Sequence, residues 1–125
     1  MSAEFSELKG QTVAAIDGLE IGSDFVIFKM TNGAEYRMYH NRDCCESVRV
    51  EDVSGDPADL IGSPLTLAEA ETSDENPEGV TPEYQDSFTW TFYRFATAKG
   101  FVVIRWYGES NGYYGEEVYF ERVTP

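Results

Sequence analysis

Phe88-Thr89-Trp90-Thr91-Phe92-Tyr93-Arg94-Phe95-Ala96-Thr97, Ala98-Lys99-Gly100, then Phe101-Val102-Val103-Ile104-Arg105-Trp106-Tyr107 is the stretch that decides the fold. Aromatic and β-branched residues dominate both arms, and the small-residue link between them reads as a turn. In the first arm Phe88, Trp90 and Phe92 share one side, against Thr89, Thr91 and Tyr93 on the other. In the second, Val102, Ile104 and Trp106 oppose Val103 and Arg105. Alternation with period two is the signature of strands. Gly108-Glu109-Ser110-Asn111-Gly112 turns the chain again, and Tyr113 to Val123 reads as a closing strand. The expectation is a C-terminal three-stranded antiparallel meander.

Working back towards the N-terminus, Phe25 to Met30 is apolar on both sides and predicts a central strand covered on both faces. Thr31-Asn32-Gly33 carries the Asn-Gly pair favoured in two-residue hairpin turns, and Glu35 to Tyr39 alternates as the returning strand. Thr12 to Asp17 and Val48 to Glu51 read as further short strands, and Leu65 to Ala70 leans towards strand. Asp56-Pro57 followed by Gly62 predicts one short helical turn, capped by Asp56 and begun by proline. From Glu71 to Asp86 the composition turns acidic and polar, which reads as an exposed, mobile loop within one domain. The fold class is therefore mainly β with one or two short helices, arranged as a twisted antiparallel sheet or small open barrel.

The chain has 125 residues, 42% of them apolar, which suits a single domain over residues 1–125 with one core. No apolar run is long enough to cross a membrane, and Met1 to Glu7 lacks the pattern of a secretory signal. A cytoplasmic setting with reduced thiols is expected. Net charge is −14, and from Glu51 to Asp86 there is no Lys or Arg. Such a field repels nucleic acid and anionic membranes and favours basic partners or cations.

Two strings concentrate the polar chemistry. The first, His40-Asn41-Arg42-Asp43-Cys44-Cys45-Glu46-Ser47-Val48, holds the only histidine and both cysteines. The second is Trp106-Tyr107-Gly108-Glu109-Ser110-Asn111-Gly112-Tyr113-Tyr114. Together they resemble a family of small proteins of unknown function found mainly in bacteriophage and prophage genomes, over about Leu8 to Phe120. The resemblance implies a phage or prophage context and directs attention to these strings; it implies no mechanism.

Read from the residues, His40, Asp43, Cys44, Cys45 and Glu46 could form a metal site, yet no second Cys or His cluster completes it. A thiolate paired with His40 would copy a nucleophilic triad, but the neighbouring carboxylates raise a thiol's pKa instead of lowering it. A disulfide between adjacent cysteines is strained, so free thiols are expected, one packed in the core. In the second string Trp106, Tyr107, Tyr113 and Tyr114 offer stacking faces, while Glu109, Ser110 and Asn111 offer hydrogen bonds. Such a turn suits a planar ligand or a protein hot spot, or else simply caps the sheet. No P-loop or dinucleotide-binding glycine string is present, and no cofactor is expected.

These features favour a non-enzymatic, phage-encoded accessory protein. It would bind a host protein, such as a basic nucleic-acid-binding protein, or a nucleotide-like small molecule, to blunt a bacterial defence. The alternatives are a small Cys/His/carboxylate metalloprotein or enzyme and a minor virion component. A monomer or homodimer is compatible with the sequence, and direct binding of nucleic acid or membrane is not expected.

Overall fold

A computed structural model describes residues 5–40, 46–77, 87–110 and 115–123. Eight strands occur among them: β1 (Val13–Asp17), β2 (Phe25–Met30), β3 (Glu35–Tyr39), β4 (Ser47–Ser54), β5 (Leu67–Ser73), β6 (Ser87–Ala96), β7 (Phe101–Ser110) and β8 (Tyr119–Arg122). They form two four-stranded sheets, ordered β1-β2-β3-β8 and β4-β7-β6-β5, with every strand pair antiparallel. The expected fold class, mainly β with antiparallel strands and short helical turns, is what forms, as two sheets with no closed barrel among the described residues. Two 3-10 turns, Phe5–Leu8 and Pro57–Leu60, are the helical elements among the described residues.

The sheets face one another across a common core. Val26, Phe28, Met30, Tyr36 and Met38 come from the first sheet, and Val50, Tyr93, Phe95, Ile104 and Trp106 from the second. Phe28 and Phe95 meet across the interface with ring centroids 5.4 Å apart. Phe5 plugs one side, touching Tyr93, Phe95 and Phe120. Burial pushes the Tyr93 phenol well above its ordinary pKa.

The central hairpin of the second sheet forms as its alternation predicts, with β6 and β7 in unbroken register from Ser87↔Ser110 to Ala96↔Phe101. Tyr93 and Phe95 enter the common core, whereas Trp90 is buried on the opposite face against Tyr107, with centroids 4.6 Å apart. The meander lies one strand earlier than expected: it is β5-β6-β7. The last strand, shortened to Tyr119–Arg122, leaves β7 and pairs with β3. Phe120 stacks on Tyr36 at 5.4 Å, and Arg37 pairs with Glu121 at 2.9 Å, contacts that only the first sheet offers.

Three further expectations are corrected. β2 is central in its sheet but covered on one face, since Val26, Phe28 and Met30 are buried while Phe25 and Lys29 are exposed. The turn at Thr31-Asn32-Gly33 is a three-residue loop instead of a two-residue one. Gly33 alone takes positive φ, and Asn32 keeps negative φ because its Oδ1 accepts the Ala34 N–H at 2.9 Å. Residues Glu71 to Ser73, expected in the mobile loop, extend β5 by pairing with Phe92, Thr91 and Trp90. A ready ladder against an aromatic strand overrides their weak propensity. Residues 78–86 of that loop lie outside the described residues.

The Asp56 cap forms as read. Its Oδ1 accepts the Ala58 N–H at 3.0 Å, with Pro57 opening the 3-10 turn. No helix among the described residues is long and apolar enough to cross a membrane.

Candidate functional site

The two polar strings meet at one end of the sandwich because β4 and β7 are paired strands. Ser47 lies opposite Glu109 and Val48 opposite Gly108. The segment 115–118, returning towards β8, closes over this junction. Gly108 permits that closure: a Cβ there would lie 2.6 Å from the Glu116 carbonyl oxygen and 3.2 Å from Val48 Cγ2. The glycine of the second string is thus required by the approach of another backbone.

His40, just past the end of β3, is 4% exposed through its side chain, and Glu46 is fully buried beside it. His40 Nδ1 lies 2.7 Å from the Glu117 carbonyl oxygen, and Nε2 lies 2.9 Å from Glu46 Oε2. A carbonyl oxygen can only accept, so Nδ1 carries a hydrogen and donates it. The Nε2–Oε2 contact must then contain one proton, held by the imidazole or by the carboxyl group. Both ring nitrogens are committed. The arrangement ties β3, the start of β4 and the segment 115–118 together.

A second buried carboxyl group completes the junction. Glu116 accepts from Ser110 Oγ at 2.5 Å and from Thr89 Oγ1 at 2.9 Å. Its neighbour Glu117 is held below the ordinary carboxylate range, chiefly by the Tyr119 hydroxyl donating at 2.7 Å and then by its own backbone, with His40 adding to the effect. Tyr119 also stacks against the His40 ring at 6.0 Å.

Trp106 and Tyr107 do not form one stacking platform. Strand alternation sends Trp106 into the common core and Tyr107 to the other face, against Trp90 and Phe88. Tyr107 donates to Glu109 Oε2 at 3.1 Å, and the Arg49 guanidinium lies 5.4 Å above its ring. Asp43, Cys44, Cys45, Asn111, Tyr113 and Tyr114 lie outside the described residues. Among the described residues, no group of three or more His, Cys, Asp or Glu side chains is placed to hold a metal.

A polar cleft of about 440 Å³ lies beside the junction, where His40, Glu46, Ser47 and Arg49 face Glu20 and Asp24 from the β1–β2 turn. That turn is fastened to β4 by Gly22 N–H to Val50 O and Val50 N–H to Ser23 O, both 2.8 Å. Glu20 and Asp24 carry no local signal in the sequence, because their place at the cleft depends on this long-range fastening. Glu116 and Glu117 were also missed. The spacing of Glu117 and Tyr119 was a readable signal, since positions two apart on an extended chain fall on one side.

Neither a curated protein nor a solved structure matches this chain. A family model described as a domain of unknown function, DUF7448, matches residues 6–120, and the chain belongs to that family.

Proposed function

We propose that this chain is a non-enzymatic accessory protein, encoded by a phage or prophage, that binds a basic host protein. It would occupy the surface with which that protein holds nucleic acid, and so blunt a host defence. The observation that carries this reading is the position of the acidic charge. Glu69 and Glu71 on β5, and Asp74 and Glu75 just beyond it, are all exposed, in a stretch without a single Lys or Arg. A net charge of −14 steers a basic partner towards such a surface and penalises nucleic acid itself. The commitment of both His40 nitrogens to structural contacts favours a holding role for the first string over proton transfer.

The test is competition. A labelled DNA duplex bound to a basic host DNA-binding protein should be released on adding this protein, and less so as salt rises. Asp74→Lys combined with Glu75→Lys should weaken release about tenfold. Release unchanged by those reversals, or no release at all, contradicts the reading. The cleft beside His40 supports a second reading, capture of a nucleotide-like small molecule with Arg49 as its cation. A retained mass of that size in native mass spectrometry of untagged protein would favour it.

A further inference from the structure

Four sheet edges end the two sheets, and three of them carry devices that block further pairing. β1 has a register break between Val13 and Ala15, and its start is bonded by Gly62 N–H to Val13 O and Leu65 N–H to Gln11 O. β4 has a break between Val50 and Asp52 and is fastened to the β1–β2 turn through Val50. β8 is only four residues long. Bulges, cross-bonds and shortness are the usual means of closing an edge.

Among the described residues, β5 is neither broken nor short; the 3-10 turn Phe5–Leu8 packs beside it, and the cross-bond there, Gly10 N–H to Leu65 O, falls two residues before the strand begins. Its ladder with β6 runs without a break from Leu67↔Ala96 to Ser73↔Trp90. Among the described residues, no backbone hydrogen bond outside that ladder engages 67–73. Glu69, Ala70, Glu71 and Thr72 are exposed in succession, on both faces of the strand. Concavities lie at both ends of it. One of about 440 Å³ lies against Phe5, Ser6, Ala68 and Ala70, and one of about 420 Å³ against Thr72, Ser73 and Asp74.

We propose that the free edge of β5 is a strand-addition site for an extended basic segment of a protein partner. This rests on the reading above that the partner is basic, and it names how that partner is held. The register sets the pattern of the incoming segment. Glu69 and Glu71 lie on the side of Arg94 and Phe92, away from the core, while Ala68 and Ala70 lie on the side of Phe95 and Tyr93, next to Phe5. A fitting segment therefore alternates, with Lys or Arg beside the glutamates and small apolar residues beside the alanines. Seven residues of edge offer about 23 Å of ladder. A second copy of this chain is the wrong occupant, because antiparallel pairing of two β5 edges sets Glu69 and Glu71 against their own like charges.

The test uses the full chain and a fluorescent octapeptide alternating lysine and valine, read by anisotropy. A second probe is the same peptide N-methylated at alternate amides along one edge, which keeps its charge and removes its ladder donors. The parent should bind, and N-methylation should weaken binding about tenfold or more. Glu69→Gln with Glu71→Gln should weaken the parent about three- to tenfold, whereas Asp17→Asn with Asp52→Asn, an equal charge change elsewhere, should not. Equal binding of both probes overturns strand addition while leaving a basic partner standing. Failure of the parent to bind overturns strand addition too, and the DNA-release assay then decides separately whether a basic partner is bound at all.

Discussion

The junction at the end of β7 and the free edge of β5 belong to the same sheet, yet their chemistry is arranged in opposite ways. At the junction, the side chains of His40, Glu46 and Glu116 are buried, His40 bonded to Glu46, and Glu116 accepting from half-buried Thr89 and Ser110. Along β5, a plain run of alanine, glutamate and threonine is exposed on both faces, and its outer side lacks a backbone partner among the described residues. His40, Glu46 and Glu116 are therefore engaged in contacts that tie strand ends to the segment 115–118. The residues with the least chemistry face outward with an unfinished ladder. Chemical richness in a sequence marks where bonds are made, and those bonds can all be internal.

The sharpest way to break this contrast is to remove the buried carboxyl group. Glu46→Ala leaves His40 buried and half-bonded, and should cost about 3–5 kcal/mol in urea unfolding. Glu46→Gln, which can still donate to Nε2, should cost clearly less. A loss below about 1 kcal/mol for Glu46→Ala would show that the pair does not hold the junction. Gly108→Ala should come next, at about 1–3 kcal/mol, because its Cβ would press on the Glu116 backbone. Wild-type stability in that variant would mean that the segment 115–118 yields easily.

A smaller effect follows from Glu117. Its folded pKa is depressed, so its contribution is present above the ordinary carboxylate range and is lost as pH falls through the lower folded value. Tyr119→Phe removes the largest cause, and should make stability less dependent on pH in that acid window. An unchanged acid profile would assign the depression elsewhere. The smallest effect is expected on β5, where Glu71→Gln breaks only an exposed 3.4 Å pair with Arg94 and should shift stability by no more than about 0.5 kcal/mol. A large loss there would make the edge structural and erase the contrast.

The fold class was legible because β6 and β7 alternate strictly and their turn is short, so local pattern and final pairing agree. The destination of the last strand was not legible. Phe120 and Glu121 gain their partners, Tyr36 and Arg37, from a strand more than eighty residues earlier, and no local spacing reports that. β5 was hard to place for a similar reason. Its alanines and glutamates prefer helix, and the ladder against Phe92 and Trp90 decides otherwise. At the junction, His40 and Glu46 stood out by residue type alone. That Glu117 joins them as the third member depends on the β3–β8 pairing, which sets Tyr39 opposite Tyr119 and so brings the segment 115–118 to His40.

The most direct test of the contrast is amide hydrogen exchange of the full chain with and without the lysine–valine octapeptide. Slowed exchange confined to residues 67–73, with residues 20–25 and 46–49 around the His40 cleft unchanged, is the predicted result. Protection at the cleft and none along β5 would contradict it, and would return the binding role to the string that holds His40.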